Sequence, residues 1–185
     1  IPDSVTFIGA HAFMHCTSLT AIEIPDSVTT IGANAFSSCS SLRRVRLPKG
    51  LSAIASCVFG DCSSLAAVSI PEGVITIELG AFSDCSSLRS VSLPDSLVRI
   101  DDEVFWDCPL TTVTLPKNLE TIGYSAFKST LLTEVTLPKR LQFIGKNAFS
   151  DCPILEKVTV LGSPIMVGDV FSDCKALETI AFKDS

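Results

Sequence analysis

The sequence has no long apolar run, no excess of basic residues and only two histidines. Its longest hydrophobic stretches are a handful of residues, far short of the ~20 that a membrane-spanning helix needs. Fourteen Lys and Arg stand against twenty Asp and Glu, a formal charge of −6. Bulk attraction to nucleic acid or to an anionic membrane surface is therefore disfavoured. There is no glycine-rich phosphate loop, no Ser or Cys nucleophile with a histidine partner, and no pair of acids at one strand end. The expectation is a protein that is not an enzyme and carries no cofactor.

What is present is a repeat. A phenylalanine marks each copy, at Phe13, Phe36, Phe59, Phe82, Phe105, Phe127, Phe149 and Phe171. Seven prolines, from Pro2 to Pro138, keep the same spacing, which is 23 residues at first and 22 later. A fixed period of this length means a solenoid, in which each unit buries its apolar face only against its neighbours. The whole chain, 1–185, then forms one stack of about eight units. It opens at Ile1-Pro2 and stops just after Phe182, inside a repeat at each end. The expectation is an excerpt of a longer chain, with its terminal edges covered by further repeats or by partner chains.

One copy divides into three parts. Val45 and Leu47 alternate with Arg46, as in a strand. Pro48 then ends the strand, because it has no N–H for a ladder. The turn residues Pro25-Asp26-Ser27 lead to Val28 and Ile31, which point inward, and Gly32 allows a bend or a close backbone approach. Last, Ala35, Phe36 and Cys39 have i, i+3 and i, i+4 spacing, which predicts a short helical turn with all three on its inner face.

Seven of the eight cysteines share one column: Cys16, Cys39, Cys62, Cys85, Cys108, Cys152 and Cys174. Stacked side chains point the same way, so their Cβ atoms stay about 4.8 Å apart, beyond the ~3.8 Å mean of a disulfide. These thiols are expected to be buried and reduced. Cys57 lies outside the column, in a polar one shared with His11 and Asn34, and is expected to be the most accessible thiol. Nothing beside it in the sequence would activate it.

Candidate chemistry is sparse. His11 and His15 are i, i+4 beside Cys16, but no third ligand is fixed nearby, so no metal is assigned. Asp101-Asp102-Glu103 suit the start of a helix, where the backbone dipole favours acids. Asp61, Asp84, Asp107, Asp151 and Asp173 precede the column cysteine or its equivalent, which is turn chemistry. Trp106 stands in a mostly small or polar column, and Phe143 shares one with Phe7, Thr30, Ala53, Thr76, Arg99 and Thr121; each either lies on its neighbours or anchors a partner on the outer side. Strand residues that point away from the core form the candidate binding face, with Arg44, Arg46, Thr112, Thr114, Glu134 and Thr136 its most polar members. Arg46 is expected to face Glu23 across the strands. Large aromatics are missing from this face.

The pattern Leu-x-x-Val-x-Leu-Pro-x-x-Leu-x-x-Ile-Gly-x-x-Ala-Phe-x-x-Cys resembles the BspA-like subclass of leucine-rich repeats, and the resemblance covers essentially the whole chain. Departures are local: Thr130 replaces the cysteine, Asp101 the glycine and Leu161 the proline. The resemblance implies an α/β solenoid with a parallel sheet on the concave face and short helices or extended segments outside. It also implies a surface or secreted protein that binds protein partners in adhesion or ligand capture. A structural subunit docked inside a larger, intracellular assembly is the alternative.

Overall fold

The computed structural model describes residues 1–183. It is a parallel β-solenoid of about eight turns. Each coil lays down two strands on two different faces. One face carries β1 (Phe7–Ile8), β3 (Thr30–Ile31), β5 (Ala53–Ile54), β7 (Thr76–Ile77), β9 (Arg99–Ile100), β10 (Thr121–Ile122), β12 (Phe143–Ile144) and β14 (Ile165–Met166). From β5 to β14 these six pair as one continuous parallel sheet. The other face carries β2 (Ala21–Glu23), β4 (Arg44–Arg46), β6 (Ala67–Ser69), β8 (Ser90–Ser92), β11 (Glu134–Leu137), β13 (Lys157–Val160) and β15 (Thr179–Phe182).

The expected helical turn does not form, and no helix occurs among the described residues. An α-helix needs successive N–H groups to reach carbonyls four residues back. Here alternate N–H groups leave the coil. Asn34, Phe36 and Ser38 donate to the carbonyls of Ser56, Val58 and Gly60 in the next coil, at 3.0, 2.9 and 2.8 Å. Between them, Ala35, Ser37 and Cys39 donate three residues back, to Gly32, Asn34 and Phe36. The backbone turns left-handed at Asn34 and Ser38, each with φ of 57°. The same two positions are left-handed in most coils, at His11 and His15, at Cys57 and Asp61, and at Asn147 and Asp151. Asn and Asp tolerate that conformation better than most residues. The two polar columns therefore meet a backbone requirement as well as exposure.

The core is a column of stacked rings. Neighbouring phenylalanine centroids from Phe13 to Phe171 lie 5.0–5.7 Å apart, within the favourable aromatic range. The rings are nearly parallel except between Phe105 and Phe127, which tilt by 30°. At that junction the period drops from 23 to 22 residues. One residue separates Cys108 from Leu110, where two separate Cys85 from Leu88. Leu110 accordingly donates to the Cys108 carbonyl two residues back, at 2.8 Å. The second face is laid down as three separate ladders, β2–β4, β6–β8 and β11–β13–β15, and at this place a single bridge, Ser90 to Thr112, extends the middle one.

Gly32 makes a close approach and has no left-handed φ; a Cβ there would run into the Ala10 backbone nitrogen of the preceding coil. Gly145 repeats the arrangement, its Cβ position lying 2.5 Å from the Tyr124 nitrogen. Leu161, where a proline was expected, uses its N–H to donate to the Leu137 carbonyl at 3.0 Å. The irregular stretch after it still delivers Ile165 and Met166 into register with Phe143 and Ile144.

Candidate binding face and thiol column

The strand pattern exposes the expected residues. Arg44, Arg46, Thr112, Thr114, Glu134 and Thr136 are all exposed, while Leu42, Leu47, Leu115 and Leu137 are buried. The six do not form one site. Arg44 and Arg46 line a groove of about 630 Å³ together with Ala67, Ser69, Ser90 and Ser92. Thr114, Glu134 and Thr136 line a separate groove of about 440 Å³ beside Lys117 and Lys139. Thr112 stands between them at the single bridge to Ser90.

Arg46 and Glu23 are Cα partners across β2 and β4, as expected. The ion pair forms elsewhere. Arg46 Nη2 reaches Asp26 Oδ2 at 3.1 Å, and Nη1 donates to the Ile24 carbonyl at 3.0 Å. Asp26 also accepts the Lys49 N–H. That backbone hydrogen bond, followed by the Arg46 charge, holds its carboxyl below the usual carboxylate range. Two opposed side chains on one strand face are free to turn toward the edge, and the turn carboxylate adds a backbone donor that Glu23 lacks. Arg44 makes no ion pair or side-chain hydrogen bond among the described residues.

The acids at 101–103 do not cap a helix. Asp102 Oδ1 accepts the Tyr124 N–H of the next coil at 2.8 Å. Glu78 does the same for Ser56, accepting both its N–H and its hydroxyl at 3.0 Å. Asp101 pairs with Arg99 at 2.9 Å, and burial raises its carboxyl pKa. His11 and His15 occupy the two left-handed turn positions and are exposed. Asp61, Asp84 and Asp107 stack at left-handed positions; burial first, then its two like-charged neighbours, raises Asp84.

On the outer side Trp106 is exposed. Phe143 is half-buried and meets Tyr124 edge-on, with centroids 6.0 Å apart and planes at 66°. Tyr124 was not singled out from the sequence. Its signal was a lone aromatic three residues before Phe127, in a column otherwise held by Ala10, Ala33, Ser56, Leu79, Asp102, Lys146 and Gly168.

All eight cysteines are free thiols. Within the column every S–H but that of Cys16, which is half-buried in the first coil, finds a carbonyl of the preceding coil. Cys39, Cys62, Cys85 and Cys108 donate to Phe13, Phe36, Phe59 and Phe82 at 3.0–3.2 Å. Thr130, in the cysteine position, donates instead to its own Phe127 carbonyl at 3.0 Å and lies 3.2 Å from Cys152 Sγ. Burial pushes the Cys62 thiol up. A hydrogen bond with Cys108 and then burial do the same for Cys85.

Cys57 is half-buried, and burial followed by the Glu103 charge raises its pKa too. The readier thiolate is Cys174, half-buried, whose S–H faces the Phe149 carbonyl at 3.0 Å and whose pKa the adjoining Cys152 thiol lowers. Titration of the folded protein with an aromatic disulfide at pH 7.5 is therefore expected to modify Cys174 before Cys57. Cys39, Cys62, Cys85, Cys108 and Cys152 should react only on unfolding. Rapid labelling of Cys85 in the native protein would contradict the burial of the column.

The two-faced coil, the ring spine and the strand-borne groove define the leucine-rich repeat class of solenoids. The family model for the BspA type leucine rich repeat region matches residues 1–111 and 98–185 with six copies, and the chain belongs to that family.

Solved structures agree. A T. pallidum leucine rich repeat protein is 30% identical over 94% of this chain and 72% of its own, with a TM-score of 0.68. A leucine-rich repeat protein from Bacteroides ovatus is 27% identical over 96% of this chain, with a TM-score of 0.56. The pneumococcal vaccine antigen PcpA is 25% identical over 98%, with a TM-score of 0.63. This chain spans 59% of the Bacteroides protein and 49% of the pneumococcal one. No functionally curated protein matches it. No helix among the described residues is long and apolar enough to cross a membrane.

Proposed function

We propose that this chain is a non-catalytic interaction solenoid that binds a protein partner along the face carrying β2, β4, β6, β8, β11, β13 and β15. The supporting observation is the run of exposed small and hydroxyl-bearing residues on that face. Ser69, Ser90, Ser92, Thr112, Thr114 and Thr136 line it. Small side chains let a partner's backbone approach closely, and hydroxyls both donate and accept hydrogen bonds. Because the face offers no large aromatic of its own, the partner supplies the anchoring side chains. The likeness to a vaccine antigen favours a place at the cell surface over an intracellular assembly.

Single alanine variants at Arg44, Arg46, Thr112 and Thr136 test this. Each is expected to weaken partner binding about three- to tenfold in a calorimetric or interferometric titration, with Trp106→Ala close to wild type. Undiminished binding in all four, with loss on Trp106→Ala, would reject the strand face and favour docking through Trp106, Phe143 and the outer side.

A further inference from the structure

We infer that the larger groove selects an extended peptide with a carboxylate side chain, and that Arg44 is the residue that receives it. This rests on the strand face being the binding face and adds the ligand's chemistry. The groove holds two guanidinium groups and one carboxylate, Arg44, Arg46 and Glu23. Arg46 is already committed to Asp26 and to the Ile24 carbonyl. Arg44 has neither kind of partner among the described residues. A guanidinium presents its donors in a planar fork that matches a carboxylate.

Beside Arg44 the register sets Ala21 on one side, and Ala67 and Ser90 follow in the same row. The fork therefore stands over small neighbours that leave room for an incoming chain. The floor between the polar residues is formed by Ile22, Val45, Val68 and Val91. An apolar floor with hydroxyls above it suits a peptide backbone with mixed side chains better than a polymer charged at every unit. Asp26 and Glu72 on the adjoining turn edge are exposed and would repel such a polyanion.

Charge also changes along the stack. At the strand entries the exposed residues are Arg43 and Arg89 in the first half, then Glu156 and Glu178 in the second. On the face itself Arg44 stands among small neighbours, whereas Glu134 lies in register with Lys157 and shares its groove with Lys117 and Lys139. The acidic side chain of a bound peptide is thereby placed over Arg44, the guanidinium of the groove left unpaired among the described residues.

Three fluorescein-labelled peptides of about six residues, roughly the groove's length across four strands, test the inference. One alternates Ser with Glu, one Ser with Lys, and one is Ser with Ala. Anisotropy at low and at physiological salt is the readout, with fragmentary heparin as the sulfated competitor. The expected result is preference for the Glu peptide, lost about tenfold or more in Arg44→Glu and retained in Lys139→Glu on the turn edge. Circular dichroism and the urea midpoint of Arg44→Glu should match wild type, since the side chain is exposed.

Three results overturn the inference. One is binding of the Glu peptide that is unchanged in Arg44→Glu. Another is equal or stronger binding of the Lys or Ala peptide, which would leave the strand face as the binding face but remove its acidic preference. The third is no binding of the Glu peptide, or displacement by heparin at far lower concentration, which would point to a sulfated ligand.

Discussion

Replacing Phe82 by alanine is expected to lower folding stability by about 3–5 kcal/mol, read as a drop in the urea midpoint. Phe82 is wholly buried and stacks on Phe59 at 5.5 Å and on Phe105 at 5.7 Å. Removal of the ring leaves a cavity between two others. The turn backbone on either side is held in place, because the Phe82 N–H donates to the Val104 carbonyl and the neighbouring Ala81 carbonyl accepts the Phe59 N–H. In a stack where each unit contacts only its neighbours, loss of one internal interface separates the two halves. The Phe82 variant should therefore also unfold less cooperatively, with a reduced denaturant slope. Phe143→Ala is the control. Its ring is half-buried and touches Tyr124 edge-on, so its expected loss is about 1 kcal/mol. Equal destabilisation by the two substitutions would remove the ring column from its place as the spine.

Raising the pH through the ordinary thiol range is expected to lower the protein's folding stability steeply. The folded state keeps Cys62 and Cys85 neutral, because burial and neighbouring thiols raise both above the ordinary thiol value of 9.0. In the unfolded chain they ionise near that value. The contribution of a group whose folded pKa is raised is fully present below the unfolded pKa and is lost as pH climbs toward the folded one. Each thiol then withdraws about 1.4 kcal/mol for one pH unit above 9, so the two together withdraw about 3 kcal/mol by pH 10. Against a typical total of about 5–15 kcal/mol that is a large share. Urea midpoints measured between neutral pH and pH 10 should fall steeply in the wild type. They should fall less in the Cys62→Ala, Cys85→Ala double variant, even though that variant starts lower from lost packing and lost S–H bonds to Phe36 and Phe59. Parallel curves would show that other groups govern the alkaline transition.

Both effects come from columns, and columns are what a repeated sequence displays. Phe, Cys and Gly recur at fixed offsets, and stacking turns each recurrence into a physical line of contacts through the protein. The spine of rings, the reduced thiols, the parallel strands and the outward residues from Arg44 to Thr136 were thus all legible from spacing alone. The candidate face was legible only as a face. Its division into two grooves was not, and it falls where one residue is missing between Cys108 and Leu110, beside the tilt of Phe105 against Phe127 and the single bridge at Thr112.

What the sequence determined by itself was everything that depends on period: the number of coils, which side chains share a column, and which alternate between core and solvent. The tertiary structure decided what depends on a partner in another coil. Ala35, Phe36 and Cys39 have the spacing of a helical turn, and a run of tight turns places them inward equally well. The choice falls to Asn34, Phe36 and Ser38, whose N–H groups find Ser56, Val58 and Gly60 only once the next coil is laid alongside. The same holds for Arg46, which lies opposite Glu23 in register yet pairs with Asp26 across 20 residues. Hydrogen bonds and ion pairs are settled by distance in space, and a period along the chain specifies that distance for stacked columns but not for side chains free to turn between them.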